Sequence, residues 1–212
     1  MKYIIKSKEP TSLIQYRKKI DAHFDGYSEK NDLRNSLLKE QKYICCYCMQ
    51  LITIGKMKIE HFIPQSDKVE GDKLQLVYRN LLGACLGNEG QPKHLQHCDT
   101  HKSNQKITIN PTSKNCESLI KFNSNGRIFS DNFEINKDLN ETLNLNTESL
   151  IENRRQALDS ALQELANKNS MAWTKEILQR EIDKWNAIND EKYKPYCQIV
   201  IFHLKNKLNR AS

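Results

Sequence analysis

Apolar side chains recur every three or four residues near the start of the chain, a period that is typical of amphipathic helices. The pattern predicts a short strand over residues 3–5, a helix over residues 11–24 and a second helix over residues 28–41. The expected inward-facing residues are Leu13, Tyr16, Ile20 and Phe24 in the first helix and Leu33, Leu37 and Leu38 in the second.

The last third of the chain returns to the helical period. It predicts one helix over residues 150–165, another over residues 173–188 and a last helix that begins at Pro195, a residue favoured in the first turn. The expected stripes are Leu150, Arg154, Leu158, Ala161 and Leu165; Trp173, Ile177, Ile182, Trp185 and Ile188; and Tyr196, Val200, Leu204 and Leu208. We interpret these stripes as core packing.

The central stretch, residues 45–104, has a different pattern, with short apolar runs separated by turns and most of the cysteines and histidines. Candidate chemistry is therefore concentrated there. Beyond this stretch, Asn125-Gly126 separates apolar runs at residues 120–122 and 127–129, which predicts a β-hairpin.

Composition narrows the class of protein. The chain has 212 residues, 38% hydrophobic and 28% charged, enough for one compact domain. No apolar run is long enough to span a bilayer, and the first residues lack the apolar length of a signal peptide. We expect a cytoplasmic protein without a membrane partner. Its 33 Lys and Arg against 26 Asp and Glu give a formal charge of +7, which favours polyanions.

Seven cysteines need an explanation in a reduced compartment, where disulfides are rare. Cys45-x-x-Cys48 forms a knuckle whose thiolates can face one ion, and Cys85 and Cys98 complete four ligands for tetrahedral Zn²⁺. Four thiolates leave no open position for water, so this zinc is expected to be structural. The competing interpretation is that the cysteines are simply buried apolar side chains.

Neighbouring residues offer other ligand sets. Cys46 can replace Cys45 through a shift of one residue, and a histidine can replace a cysteine, the candidates being His94, His97 and His101. Cys116 and Cys197 lie in strand-like or periodic contexts and are expected in the core.

A carboxylate and an imidazole stand side by side at Glu60-His61, between the cysteine pairs. In an extended strand adjacent side chains point to opposite faces, so one can hold a metal while the other faces the attacking water. Such a pair alone is more often a surface salt bridge or a packed histidine. Its position between metal-like cysteines favours the chemical interpretation.

The order of motifs in this stretch resembles that of the HNH endonucleases. The motifs are Cys45-x-x-Cys48, Glu60-His61-Phe62-x-Pro64, Asn80-Leu81-Leu82, Cys85, and Cys98-Asp99-x-x-Lys102. Within that family the sequence is most similar to the PtuB-like nucleases of Septu and retron systems, and the similarity extends over most of the chain.

The resemblance implies an α+β fold in a single domain over residues 1–212. Its ββα-metal core, with the structural zinc, is expected at residues 45–104. N-terminal helices over residues 1–44 and a hairpin and helical part over residues 105–212 are expected to surround this core.

The resemblance also implies roles for individual residues. His61 matches the general base, Asn80 the residue that orients it, and Glu60 and Asp99 the ligands of a catalytic divalent ion. Asp99 stands at the position of the last histidine of the HNH motif. Its carboxylate offers oxygen ligands, which suit Mg²⁺ or Mn²⁺. His101 competes with Asp99 for this last position.

Lys102 lies one turn beyond Asp99 on the same helix face, where its ammonium can meet a substrate phosphate. The plainer interpretation is that Lys102 is solvent exposed. The wide spacing between Cys85 and Cys98 departs from the usual knuckle and is expected to enlarge a substrate loop.

The function implied by the resemblance is hydrolysis of nucleic-acid phosphodiester bonds in antiphage defence. DNA is the expected substrate, with a tRNA-like RNA as the alternative. The resemblance also implies an ABC- or SMC-type ATPase partner, sometimes with a retron reverse transcriptase and its DNA. The sequence has no Gly-x-x-x-x-Gly-Lys-Ser/Thr loop, so any nucleotide control must come from another chain. The alternative from another class is a non-catalytic zinc-ribbon module that binds nucleic acid.

Overall fold

The computed structural model describes residues 1–169 and 172–211 of the chain. The predicted helical part over residues 105–212 includes residues 170, 171 and 212, which lie outside the described residues. The helices are α1 (Thr11–Tyr16), α2 (Lys30–Glu40), α3 (Gly71–Leu74), α4 (Cys98–Lys102), α5 (Phe133–Lys137), α6 (Glu148–Lys168), α7 (Lys175–Asn186) and α8 (Cys197–Leu208). The strands are β1 (Lys58–His61), β2 (Leu81–Ala84), β3 (Lys121–Phe122) and β4 (Ile128–Phe129). The expected mixture of helix and strand is confirmed.

Strands β1 and β2 form an antiparallel pair in the centre of the molecule, with Glu60 opposite Leu82 and His61 opposite Leu81. All four residues of β2 are buried, and α2 packs against it. The buried Gln41 side chain accepts from the Gly83 N–H at 2.6 Å and donates to the Gly83 carbonyl at 2.8 Å. This amide fixes the strand pair to the end of α2.

The C-terminal helices form a second packed layer. Helix α8 is buried over residues 197–201 and at Leu204, and it contacts α6, α7 and β3. Helix α6 buries the predicted stripe of Leu150, Arg154, Leu158, Ala161 and Leu165. Among the described helices, none is long and apolar enough to cross a membrane.

Several sequence predictions are confirmed with shorter boundaries. Helix α2 buries Leu33, Leu37 and Leu38 as expected. Strands β3 and β4 form the predicted hairpin. Its turn needs a glycine, because Gly126 has a φ of +93° and a Cβ there would lie 2.2 Å from the Ile151 carbonyl oxygen.

The strand predicted over residues 3–5 is wrong. Ile4 donates one backbone hydrogen bond to the Pro111 carbonyl at 2.9 Å, and Tyr3 donates to the Glu117 carboxylate instead. A proline has no N–H, so Pro111 cannot return a hydrogen bond and no ladder forms.

The helix predicted over residues 11–24 is too long, because α1 ends at Tyr16. Asp21 adopts a φ of +56°, a conformation that a helix does not tolerate. Ile20, predicted to face inward, is 91% exposed. The turn that replaces the second half of the helix leads Phe24 into contact with His61.

The last two helices begin later than predicted. Trp173 precedes α7 and Ile188 follows it, and Ile188 is half exposed. Helix α8 begins at Cys197 because Tyr196 has a left-handed φ of 55°. The Tyr196 N–H donates to the Met49 carbonyl at 3.1 Å, which joins the start of α8 to the cysteine knuckle.

Candidate functional site

Four cysteine sulfurs meet in the interior, those of Cys45, Cys48, Cys85 and Cys98, all within 4.8 Å of one another. The Sγ–Sγ distances are 3.9 Å for Cys45–Cys98 and 3.8 Å for Cys48–Cys85. Tetrahedral zinc with Zn–S bonds of about 2.3 Å separates its sulfurs by about 3.8 Å. A disulfide needs about 2.05 Å. The spacing therefore fits four ligands of one metal ion such as zinc.

The local backbone holds these sulfurs in place. The knuckle turns at Met49, whose φ is 68° and whose N–H donates to the Cys45 carbonyl at 3.1 Å. The Cys85 N–H donates to Cys45 Sγ at 3.3 Å. Burial raises the pKa of the Cys48 and Cys98 thiols, so a bound cation is needed to stabilise their thiolates.

The long segment between Cys85 and Cys98 closes on itself before the last ligand. The His97 N–H donates to the Gly87 carbonyl at 3.0 Å. Gly87 has a φ of +56°, and a Cβ there would lie 2.1 Å from the His97 carbonyl oxygen. Glycine is therefore required where the two ends of this loop meet.

The alternative ligands lie outside the four-sulfur cluster. Cys46 is buried, but it is not part of the group of four. His97 Nδ1 lies 3.2 Å from Cys98 Sγ, where it can hydrogen-bond the sulfur as a neighbour of the cluster. His94 is exposed. Cys116 and Cys197 are fully buried elsewhere, which confirms their prediction as core residues.

A polar cavity of about 380 Å³ opens beside β1 and α4. Three of the predicted site residues, Glu60, His61 and Asp99, border it. The remaining lining residues are Lys58, Ile59, Pro64, Gln65, Glu89, Thr100, Ser103 and Asn104. The fold thus places the candidate base His61 and the candidate metal ligands Glu60 and Asp99 around one cavity that opens to solvent.

His61 is held in one tautomer by its surroundings. Its Nε2 lies 3.0 Å from the Gln75 carbonyl oxygen, which can only accept, so Nε2 carries the hydrogen. The Phe24 ring packs edge-on against the imidazole at 4.4 Å between centroids. Burial lowers the pKa of His61 and favours the neutral ring, whose Nδ1 keeps its lone pair. Nδ1 is therefore the nitrogen that can take a proton.

Asn80 is buried and acts on the segment that follows His61. Its side-chain oxygen accepts from the Ile63 N–H at 2.8 Å, and its amide nitrogen donates to the Ile63 carbonyl at 3.0 Å. The Phe62 N–H donates to the Asn80 carbonyl at 2.9 Å. Asn80 thus fixes the backbone two residues beyond His61, and its described side-chain hydrogen bonds go to the backbone of Ile63 and Leu74.

Glu60 is 3% exposed and has charged and polar neighbours. Tyr47 Oη donates to Glu60 Oε1 at 2.7 Å, and Lys102 Nζ lies 2.8 Å from the same oxygen. Burial and the neighbouring Asp99 carboxylate raise the pKa of Glu60, while Lys102 opposes this rise. A divalent cation shared by the two carboxylates would relieve their repulsion.

Asp99 and His101 have different surroundings although they share α4. Asp99 borders the cavity. His101 Nδ1 lies 3.0 Å from the Thr142 carbonyl oxygen, to which it donates, and the ring is half-buried. Of the two candidates for the last ligand position, Asp99 is the one beside Glu60.

Lys102 requires a correction. The alternative of plain solvent exposure is wrong, because Lys102 is 1% exposed. The contact of its ammonium with a substrate phosphate stays a prediction. Its ammonium contacts Glu60 and donates to the His61 carbonyl at 3.1 Å. The carboxylate attracts the ammonium into the interior, where an unpaired charge would be costly. The lysine therefore contacts the backbone and side chain of β1 and is absent from the cavity lining.

Three contacts of the site were not predicted from the sequence. The sequence pattern places Tyr47 between two cysteines and Phe24 on a helix stripe, and neither position indicates a contact with the site. The third contact is the backbone carbonyl of Gln75. Every residue has such a carbonyl, so the residue type at position 75 does not indicate this contact. The position of Tyr47 within the knuckle was the one available hint.

Comparisons with known proteins give one informative similarity. No protein-family model matches the chain. The chain is 26% identical over 114 residues to a protein named "Retron Vc95 putative HNH endonuclease" from Vibrio cholerae serotype O1 biovar El Tor. The matched segment covers 54% of this chain and 54% of that relative, so it spans about half of the relative's length.

Proposed function

We propose that this chain is a metal-dependent HNH endonuclease that hydrolyses phosphodiester bonds of nucleic acid. The observation that carries the proposal is the placement of His61, Glu60 and Asp99 around one cavity, with His61 Nδ1 available as a base. The antiparallel strands β1 and β2, which the short helix α3 separates along the chain, are followed by α4, and this order agrees with a ββα-metal core within residues 45–104. The similarity to a retron HNH endonuclease supports the same activity.

The proposed reaction forms a bond from a water oxygen to phosphorus and breaks the bond from phosphorus to the 3′ oxygen. His61 Nδ1 accepts the proton of the attacking water. Glu60 and Asp99 would hold Mg²⁺ or Mn²⁺, which when bound would neutralise charge on the phosphate and on the departing oxygen. The departing 3′ oxygen would take its proton from solvent water. Asn80 keeps the backbone after His61 in position through its contacts with Ile63.

The proposed role of the cysteine cluster is structural. Four thiolates complete a tetrahedral zinc ion and leave no position for water. The ion would join the knuckle after α2, the end of β2 and the start of α4, because these elements carry or adjoin its four ligands. The chemistry then belongs to the oxygen-lined cavity.

The test is cleavage of labelled DNA and RNA by the wild-type protein and by His61→Ala, each assayed with its partner if one co-purifies, in Mg²⁺ and in Mn²⁺. We expect the substitution to lower the cleavage rate by about 10² to 10⁴, the usual contribution of a general base, without loss of zinc. A wild-type protein that binds nucleic acid and never cleaves it would instead support the zinc-ribbon module. The DNA and RNA arms decide the substrate, for which DNA is our expectation and a tRNA-like RNA the alternative.

We also propose that the nuclease acts in antiphage defence with an ABC- or SMC-type ATPase, and in a retron context with a reverse transcriptase and its DNA. The retron in the relative's name supports this context. Co-purification with an ATPase encoded beside the chain, together with cleavage that depends on the assembly, is the expected result. Unregulated cleavage by the isolated chain and no binding of that ATPase would contradict it.

A further inference from the structure

Tyr47 lies inside the cysteine knuckle and is fully buried, with 0% of its surface exposed. Its flanking residues include Cys48, one of the four cluster ligands, and Cys45 lies two positions before it. A metal ion in the cluster therefore fixes the backbone on both sides of this tyrosine. The fixed backbone of the knuckle therefore determines the direction in which the phenol ring points.

The Tyr47 hydroxyl reaches from the knuckle to the acidic cavity. It donates to Glu60 Oε1 at 2.7 Å, a short hydrogen bond to a carboxylate. A phenylalanine would fill the same apolar space, so packing alone does not explain the hydroxyl. What the hydroxyl adds is a fixed direction for the Glu60 carboxylate.

A second donor approaches the same carboxylate oxygen from another segment of the chain. Lys102 Nζ lies 2.8 Å from Glu60 Oε1, and Lys102 belongs to α4, which begins with the cluster ligand Cys98. Both donors thus come from segments that hold cysteine ligands. With Oε1 occupied by the two donors, Oε2 is the oxygen left for a metal ion.

We propose that Tyr47 is a positioning residue through which the cysteine cluster orients Glu60 for the catalytic ion. This inference rests on the proposed function, because it assumes that Glu60 holds a divalent ion. Partners that orient a ligand typically change metal affinity by about 10- to 100-fold when they are removed. The knuckle would then stabilise the fold and also determine the affinity of the neighbouring oxygen site.

The test compares Tyr47→Phe with wild type by titration with Mn²⁺ alone, following free Mn²⁺ by its electron paramagnetic resonance signal. We expect about tenfold weaker binding in Tyr47→Phe at unchanged zinc content. Tyr27→Phe is the matched control, because Tyr27 is also buried and its hydroxyl bonds only Ser12 among the described residues. It should bind Mn²⁺ as wild type does.

Glu60→Gln separates this inference from the proposed function. If wild type and Glu60→Gln bind Mn²⁺ equally, Glu60 holds no ion and the proposed function fails. If binding depends on Glu60 but Tyr47→Phe matches wild type, only the positioning role of Tyr47 is overturned. Should Tyr47→Phe lose zinc or unfold, wild-type protein labelled on its tyrosine rings decides the question. Mg²⁺ must then shift a tyrosine signal in the nuclear magnetic resonance spectrum, and no shift overturns the inference.

Discussion

The cysteine cluster and the acidic cavity lie side by side in the same central stretch, yet they differ in every property that governs metal chemistry. The cluster has four soft sulfur ligands, all buried and within 4.8 Å of one another. The cavity has hard carboxylate oxygens, an imidazole and about 380 Å³ of space. In the cluster, four sulfurs can complete the coordination of a metal ion. The cavity, in contrast, has room for water and substrate beside an ion.

The residues expected to stabilise the fold and those proposed to carry the chemistry are thus separated by a very short distance. Cys98 and Asp99 are neighbours at the start of α4, one in the cluster and one at the cavity. Different variants should therefore damage one site and spare the other. Four such tests follow from the contacts of the two regions.

The largest effect is expected from Cys48→Ser. Loss of one thiolate should release the zinc and unfold the surrounding segment, because structural zinc contributes about 10–16 kcal/mol of apparent binding free energy in small zinc domains. Metal analysis and a thermal melt measure the outcome. Cys116→Ser is the control, since Cys116 is as buried but lies outside the cluster, and it should keep its zinc. A Cys48→Ser protein with full zinc content and stability would contradict the assignment.

Lys102→Met is expected to have the next largest effect, because it leaves Glu60 buried without its cation. Removal of one partner from a buried ion pair typically lowers the free energy of unfolding by about 3–5 kcal/mol. Urea denaturation measures this change. Lys168→Met breaks the exposed pair with Glu164 on α6 and should change little. Equal stability of the two variants would show that the Lys102 contact is unimportant for folding.

Asp99→Asn and His101→Asn distinguish the two candidates for the last ligand. Asp99 borders the cavity, so its substitution should lower cleavage by about 100-fold through loss of the catalytic ion. His101 donates to the Thr142 carbonyl, so its substitution should leave most cleavage intact. Rate measurements over a range of Mg²⁺ concentrations check both. The reverse result would make His101 the ligand.

The sequence predicted elements best where periodicity and local chemistry agreed. Helix α6 buries the predicted stripe, and the Asn-Gly turn joins β3 to β4. Prediction failed where a distant contact decided the local conformation. Residues 17–24 continue an apolar period, but a turn at Asp21 places Phe24 against His61. The spacing of apolar residues along one segment gives no information about such contacts with distant residues.

The candidate site was predictable to a similar extent. Side-chain types and spacing predicted the cysteines and the Glu60-His61 pair. They did not predict that Lys102 would be buried against Glu60, since a lysine on a short helix is usually exposed. They also did not predict the Gln75 carbonyl that selects the His61 tautomer, because a backbone group has no residue signature.

The smallest of the four effects is expected from Lys58→Ala. Lys58 borders the cavity and bonds Glu89 and Thr100 at its rim. If Lys58 contacts a substrate phosphate, it contributes the same binding free energy whatever the base sequence of the nucleic acid. Its loss should therefore weaken binding to all nucleic-acid sequences alike. The slope of log affinity against log salt concentration should fall by about 1. Lys205→Ala on α8, which is not among the residues that line this cavity, should leave the slope unchanged. An unchanged slope for Lys58→Ala would exclude Lys58 from the substrate path.

The most direct test of two sites with separate tasks is anomalous X-ray diffraction from crystals of the zinc-containing protein soaked in Mn²⁺, with data at the zinc and manganese absorption edges. We predict a zinc peak surrounded by the sulfurs of Cys45, Cys48, Cys85 and Cys98, and a separate manganese peak at the carboxylates of Glu60 and Asp99. Zinc in the acidic cavity with an empty cysteine cluster, or manganese bound elsewhere, would contradict the account.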